Sequence, residues 1–284
     1  MKFVYYPGCS LESTAKEYDL SARAIARVME VEMLELADWN CCGATSAHST
    51  NRLLGLVLPA RNLALAQDSG RDLLVPCSAC YSRLKTADYY LRYDEKVRND
   101  MENMLGFNYQ GNIKVFSLLE VFTVQEQLEK ITRHVTHPLK GLRVACYYGC
   151  LLVHPPEVTH FDDPENPSRM DKLMALLGAE PVPWSYKTEC CGASQGLVNG
   201  KMVRRIVSRL IRKAQEAGAR AVVTACPLCQ ANLEMRREKG GENMPVFYFT
   251  ELIGFSFGLP DSLKWFKKHL WNPGRLLASL GLVV

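Results

Sequence analysis

Short apolar runs alternate along the chain with longer segments in which apolar residues recur every three or four positions. The runs predict strands at residues 2–6, 33–37, 72–75, 113–117, 142–148, 181–184, 221–225 and 246–249. The longer segments predict helices at residues 11–31, 51–68, 118–134 and 202–215, and one more after residue 80. Strands that alternate with helices indicate an α/β fold with mainly parallel sheets and flanking helices.

The second half of this pattern repeats the first. Residues 3–9, FVYYPGC, align with residues 144–150, VACYYGC, and each of these segments is a predicted strand followed by a turn. A polar stretch at 134–141 contains Pro138 and separates the halves. We therefore expect a first domain at 1–137, a second at 138–260 and a helical tail at 261–284.

Ten of the eleven cysteines fall into the same repeat. In each half a lone cysteine is followed by an adjacent pair with a glycine, and then by two cysteines separated by two residues. The first set is Cys9, Cys41, Cys42, Cys77 and Cys80, and the second is Cys150, Cys190, Cys191, Cys226 and Cys229. The pair and the CxxC motif are 35 positions apart in both halves, from Cys42 to Cys77 and from Cys191 to Cys226.

Each group of cysteines comes just after a predicted strand. In parallel sheets, binding sites collect where the strands end, at their carboxyl edge. Three separate turns in each half are therefore expected to bring five thiols to one edge of a sheet.

Five thiolates in this arrangement favour an iron–sulfur cluster. Thiolates bind zinc and iron–sulfur clusters, but neighbouring residues cannot easily direct both sulfurs at one tetrahedral ion. A fifth thiolate also exceeds the four that a zinc ion or a cubane cluster takes. Structural zinc and free, redox-active cysteines remain the alternatives. Gly43 and Gly192, which follow the paired cysteines, are expected to let the backbone approach the metal closely.

Composition and charge limit the binding partners and the cellular compartment that the sequence allows. A formal charge of +4 is too small to indicate nucleic-acid binding by itself. No apolar run approaches the roughly 20 residues of a membrane-spanning helix, and the N-terminus lacks the long apolar region of an export signal. We therefore expect a cytoplasmic protein whose thiols are free or metal-bound. The odd number of cysteines also fits poorly with a disulfide framework.

The two cysteine sets resemble the CCG domain family, and their layout resembles the B subunit of heterodisulfide reductase. Supporting segments are residues 5–9 (YYPGC), 76–81 (PCSACY), 146–150 (CYYGC) and 225–229 (ACPLC). The resemblance implies one noncubane [4Fe-4S] cluster in each half, ligated by the five cysteines of that half. CCG domains also occur in fumarate reductases, succinate dehydrogenases, glycolate oxidases and lactate-utilisation proteins, so the motif indicates the cofactor class and not the substrate.

The resemblance also implies an activity and partners. A disulfide would be cleaved between the two clusters, with electrons arriving through a cubane [4Fe-4S] C subunit from a flavin-containing A subunit. The alternatives are an electron-transfer subunit of another oxidoreductase complex, or a heterodisulfide-reductase-like subunit of sulfur oxidation. The chain shows neither a P-loop nor a GxGxxG motif after a strand, so a partner must deliver the electrons.

The sequence also suggests roles for three further side chains and for the C-terminal tail. His154, four residues after Cys150, is a candidate substrate-binding residue. Lys187 is expected to be a solvated charge, and Cys146 a buried strand residue that acts as a small hydrophobe. The tail, which mixes lysines with large apolar residues, is expected to dock on the core or on a partner subunit; the alternative is an amphipathic helix on a membrane surface.

Overall fold

Two four-stranded sheets of identical topology form the frame of the protein. The computed structural model describes residues 1–44, 47–196, 198–237 and 244–283. All strand pairings are parallel, and the strand orders are β2-β1-β3-β4 and β6-β5-β7-β8. The strands are β1 (Lys2–Tyr5), β2 (Glu32–Glu35), β3 (Leu73–Val75), β4 (Val115–Ser117), β5 (Arg143–Tyr147), β6 (Glu180–Pro181), β7 (Ala221–Thr224) and β8 (Val246–Tyr248). The predicted α/β class with two repeated parallel sheets is confirmed.

Helices connect the strands and cover the sheets. In the first half they are α1 (Gly8–Glu12), α2 (Lys16–Val28), α3 (Ala47–Thr50), α4 (Leu54–Asp68), α5 (Ser78–Tyr93), α6 (Glu95–Leu105), α7 (Leu118–Phe122) and α8 (Gln125–His134). In the second they are α9 (Cys150–Val153), α10 (Pro156–Thr159), α11 (Arg169–Leu176), α12 (Gly200–Glu216), α13 (Pro227–Met235) and α14 (Phe249–Ser256). The tail contains α15 (Ser262–Phe266) and α16 (Gly274–Ser279).

Two helices predicted as continuous are each broken in two by a hydroxyl side chain. The hydroxyl of Ser13 donates to the Cys9 carbonyl at 2.7 Å where α1 ends. The hydroxyl of Thr123 donates to the Leu119 carbonyl at 2.7 Å between α7 and α8. Such side-chain bonds to the backbone compete with helix continuation.

Helix α6 lies in a polar stretch for which no element was predicted, although both of its ends carry clear signals. The carboxylate of Asp94 accepts from the Val97 amide at the helix start. Gly106 ends the helix in the left-handed conformation, as is common after a last helical turn.

The two halves pack against each other through a continuous buried interface. Tyr18 of α2 stacks on Tyr248 with ring centroids 4.2 Å apart, and the hydroxyls of Ser21 and Thr250 are hydrogen-bonded at 2.7 Å. Farther along, the Tyr81 hydroxyl donates to a backbone carbonyl of the second half. The predicted boundary at 137/138 lies between the two sheets, and the division into domains at 1–137, 138–260 and 261–284 stays a prediction.

The C-terminal tail docks on both halves, because its helix α15 packs against α2 of the first half and α14 of the second. Trp265 and Phe266 are buried, and His269 lies between the carboxylates of Glu234 and Glu251 at 3.0 and 2.9 Å. Burial alone would lower the pKa of His269, but the two carboxylates outweigh it and raise the pKa to about 10. Docking on the core is therefore the observed arrangement. Within the described residues, no helix combines the length and the apolar character needed to cross a bilayer.

Candidate metal centres at the sheet edges

The cysteines of each half lie on three turns at the carboxyl ends of neighbouring strands. In the first half, Cys9 follows β1 in α1, the Cys41 and Cys42 pair follows β2, and Cys77 follows β3 as the N-cap of α5. The second half repeats this order, with Cys226 as the N-cap of α13. Parallel strands end at the same edge of a sheet, so these turns converge.

In the first set two of the thiols are in direct contact. The Sγ atoms of Cys42 and Cys80 lie 3.2 Å apart, and the Gly43 amide donates to the Cys41 sulfur at 3.4 Å. Hydrogen bonds with the thiols of Cys41 and then Cys80 lower the pKa of Cys42 to about 4.

The second set has the same contacts. The Sγ atoms of Cys191 and Cys229 lie 3.6 Å apart, and the Gly192 amide donates to the Cys190 sulfur at 3.3 Å. A hydrogen bond with the Cys150 thiol lowers the pKa of Cys190 to about 6. The structure thus repeats the same contacts at corresponding positions of the two sets, and the assignment of all five cysteines of each set as ligands stays a prediction.

One buried tyrosine in each half holds the turn that carries the paired cysteines. The Tyr6 hydroxyl donates to the Asn40 carbonyl at 2.8 Å, and the Tyr147 hydroxyl donates to the Glu189 carbonyl at 2.6 Å. These carbonyls directly precede Cys41 and Cys190. Burial, followed by the charges of four neighbouring cysteines, raises the pKa of each tyrosine. Both hydroxyls therefore remain donors, a role that no pattern in the sequence indicates.

Gly8 and Gly149 are the glycines that make close approach to the thiols possible. Both have a positive φ, 70° and 69°, and each directly precedes the lone cysteine of its set. A Cβ on Gly8 would lie 3.1 Å from the Cys80 sulfur, and one on Gly149 would lie 3.0 Å from the Cys229 sulfur. The space beside these sulfurs exists only because no side chain fills it.

Gly43 and Gly192, the glycines that the sequence indicated, have apolar side chains as neighbours. A Cβ on Gly43 would meet Ala47 and Leu58, and one on Gly192 would meet Val203 and Ile206. These contacts are with apolar side chains of the following helices. Their contribution to the thiols comes instead from the backbone amides that donate to sulfur.

The two sets adjoin across the interface between the halves. Cys77 and Cys226 are both buried there. The Tyr18 hydroxyl lies 3.2 Å from the Pro76 carbonyl and 3.0 Å from the Ala225 carbonyl, and so fixes the two residues that precede these thiols.

A cavity of about 160 Å³ lies where the two halves meet. Its lining combines the second cysteine set with residues of the first half. From the first half come Ala44, Ser78, Ala79 and Arg83. All five cysteines of the second set line the opposite wall.

The residues present fit an iron–sulfur group better than a disulfide framework. All eleven cysteines are free thiols, and thiolates are the ligands that such clusters take. The space beside Gly8 and Gly149 gives each set room next to its sulfurs. Within the described part of the chain, no three His, Cys, Asp or Glu side chains are grouped as the ligands of a metal ion, so the fit rests on the donor set and on this space.

Other residues singled out from the sequence have varied positions. His154 is half-buried at the end of α9 and is not among the residues that line the cavity; its role in substrate binding stays a prediction. The prediction that Lys187 is a solvated charge is wrong, because the side chain is buried and its ammonium donates to Asp171 at 2.8 Å. Cys146 is fully buried in β5, as expected.

The repeated sites match a known family. The model of the CCG cysteine-rich domain family matches residues 3–85 and 144–234, more than half of the chain. The chain belongs to this family. The matched segments contain all ten cysteines of the two sets.

Curated relatives cover nearly the whole chain. One is the 8-methylmenaquinol:fumarate reductase membrane anchor subunit of Wolinella succinogenes, with 34% identity over 91% of this chain and 93% of the relative. Another is the B subunit of the ferredoxin/F(420)H(2)-dependent CoB-CoM heterodisulfide reductase of Methanosarcina acetivorans, with 28% identity over 92% and 91%. A protein of Archaeoglobus profundus that is named as similar to the heterodisulfide reductase B subunit is 27% identical over 91% of both chains. The resemblance to the B subunit of heterodisulfide reductase is thereby confirmed.

A solved structure supports the fold alone. A hypothetical protein from Helicobacter pylori superposes with a TM-score of 0.69 at 11% identity. The match covers 93% of this chain and 50% of that protein, so the present chain corresponds to half of the solved one.

Proposed function

We propose that this chain is the iron–sulfur subunit that binds and reduces, or reversibly forms, a small-molecule disulfide in a heterodisulfide-reductase-type complex. The observation that carries the proposal is the cavity between the two halves, in which all five cysteines of the second set face residues of the first half. The Tyr18 hydroxyl also joins the segments that precede Cys77 and Cys226, one from each set. Relatives named as the B subunit of heterodisulfide reductase support the same function.

The proposed ligands are the two repeated cysteine sets. One noncubane [4Fe-4S] cluster is assigned to Cys9, Cys41, Cys42, Cys77 and Cys80, and the other to Cys150, Cys190, Cys191, Cys226 and Cys229. Iron–sulfur clusters, when bound, carry out the electron transfer that these thiolate sets are suited to support.

Reduction of one disulfide to two thiols takes two electrons and two protons, and two adjoining sites match the two electrons. The chain's own residues position these sites. Tyr6 and Tyr147 fix the turns with the paired cysteines, and Tyr18 fixes the residues before Cys77 and Cys226. On the cysteine side of the cavity, Cys191, Cys226 and Cys229 are buried, whereas Cys190 is exposed.

Electrons must come from outside the chain, because the sequence has no nucleotide-binding motif. We assign their delivery to a cubane [4Fe-4S] C subunit and a flavin-containing A subunit, and we place the complex in the cytoplasm. His154 is kept as a residue that contacts the substrate near the second site.

The relative from Wolinella succinogenes favours a second candidate function. That relative is named as a fumarate reductase subunit, and its identity with this chain is 34%. In that case the two clusters would relay electrons within another oxidoreductase complex and would bind no disulfide.

Titration of the anaerobically purified chain with thiols and disulfides separates the two functions. Probes are 2-mercaptoethanol and 2-hydroxyethyl disulfide, with paramagnetic resonance as the readout and reduced viologen as electron source. The proposed function predicts that the probes change the cluster signal and that the disulfide is consumed. Clusters that viologen reduces but that no thiol or disulfide affects would support the electron-relay function instead.

A further inference from the structure

Ser78 is a buried polar residue without a partner in the wall of the shared cavity. It is 3% exposed, and its Oγ atom makes no hydrogen bond within the described structure. A buried hydroxyl without a hydrogen bond destabilises the fold, so we expect such a hydroxyl to have a hydrogen-bond partner. Ser78 is also the first residue of α5, and it lines the cavity together with the next residue of that helix, Ala79.

Arg83 is a second polar residue of the first half in this wall. It is half-buried, lines the cavity, and has no ion pair among the described residues. It also lies on α5 three residues after Cys80 of the first set, and so on the same face of the helix. Arg83 therefore lies between the two cysteine sets.

The internal repeat shows that these two residues are specific to the first half. The position that corresponds to Ser78 is Pro227, which has no hydroxyl. The position that corresponds to Arg83 is Asn232, whose amide is already used within its own half, where it donates to the Cys191 carbonyl at 3.0 Å. Neither of these two positions offers the first half a free donor in return, so the two sites are not equivalent.

We infer that the first half supplies Ser78 and Arg83 as positioning residues for the group held by the second cysteine set. The hydroxyl of Ser78 donates a hydrogen bond to a sulfur acceptor of that group, and Arg83 places a positive charge between the two sites. The inference rests on the proposed function in one respect only, because it takes this group to be an iron–sulfur cluster.

The sign of the effect follows from elementary electrostatics. A hydrogen-bond donor and a positive charge both stabilise the more negative, reduced state, and hydrogen bonds to sulfur and net charge are among the factors that set cluster potentials. Ser78 and Arg83 therefore raise the reduction potential of the second site.

Potentiometric titration followed by paramagnetic resonance tests this on the full chain purified without oxygen. The variants are Ser78→Ala and Arg83→Met, and Arg83→Lys is the charge-conserving control. Thr86→Ala and Lys85→Met remove a hydroxyl and a cation from the same helix outside the cavity. Replacement of Cys9 or Cys150 by serine, one at a time, assigns each signal to its set.

We expect Ser78→Ala to move only the second site to a more negative potential, and Arg83→Met to move both sites. Arg83→Lys should retain most of the native potentials, and the two control variants should change neither. Unchanged potentials in both Ser78→Ala and Arg83→Met overturn the inference, even if disulfides bind. Shifted potentials together with insensitivity to disulfides overturn the proposed reaction alone, and a chain without iron–sulfur clusters overturns both.

Discussion

The glycines beside the lone cysteines provide the sharpest test of the cluster sites. In Gly149→Ala the new methyl group meets the Cys229 sulfur at 3.0 Å, and in Gly8→Ala it meets the Cys80 sulfur at 3.1 Å. Both positions have a positive φ, which costs an ordinary residue about 1–2 kcal/mol. Gly70 is a matched control, because its φ is 66° and a Cβ there meets nothing within 4 Å.

All three variants should lower the stability of the cluster-free chain, but only Gly8→Ala and Gly149→Ala should lower the iron content of the loaded chain. In the cluster-free chain the cysteine side chain can rotate away, so each substitution should lower the free energy of unfolding by about 1–2 kcal/mol. In the loaded chain the sulfur is fixed as a ligand and cannot move. Gly8→Ala and Gly149→Ala should then each lose the iron of one site, whereas Gly70→Ala should retain all of it.

Urea unfolding of the cluster-free chain and iron analysis of the loaded chain measure the two effects separately. The iron content of each variant is compared with that of wild type prepared in parallel. If Gly149→Ala kept as much iron as Gly70→Ala, the space beside Cys229 would not belong to a ligand sphere, and the reasoning would be refuted.

Further predictions concern the supporting residues. Tyr147→Phe removes the hydrogen bond to Glu189 and should cost about 1 kcal/mol, seen by urea unfolding. Cys146→Ala should leave the iron content unchanged, since this thiol lies outside both sets; a loss of iron would contradict this. The His269 pKa is about 10 in the folded chain against about 6.5 unfolded. Its stabilisation is therefore complete below about pH 6.5 and is lost as pH rises toward 10; pH-dependent unfolding should show this loss, and His269→Gln should abolish it.

Much of the fold follows from local sequence pattern. The strands are short apolar runs that end in turns, and this pattern survives in β1, β3, β5 and β7 because these strands are buried almost throughout. The breaks at Ser13 and Thr123 were missed because a hydroxyl within an amphipathic segment leaves the apolar period unchanged.

The site itself depends on contacts that no local pattern contains. Which glycine lies against a sulfur is set by the packing of turns that are distant in the sequence. The sequence therefore indicated Gly43 and Gly192, which adjoin the paired cysteines along the chain, whereas Gly8 and Gly149 lie against the sulfurs in the structure. Lys187 was expected in solvent because its partner, Asp171, is 16 positions away. The approach of the turns that carry Cys77 and Cys226, which the Tyr18 hydroxyl joins, depends on the packing of the two halves.

The central claim is that each half of the chain holds one four-iron cluster through its five cysteines. Iron and acid-labile sulfide analysis of the anaerobically purified chain tests it most directly. The account predicts about eight irons and a similar amount of sulfide per chain, without stoichiometric zinc. A chain with zinc in place of iron, or with substantially fewer irons after full reconstitution, would contradict it.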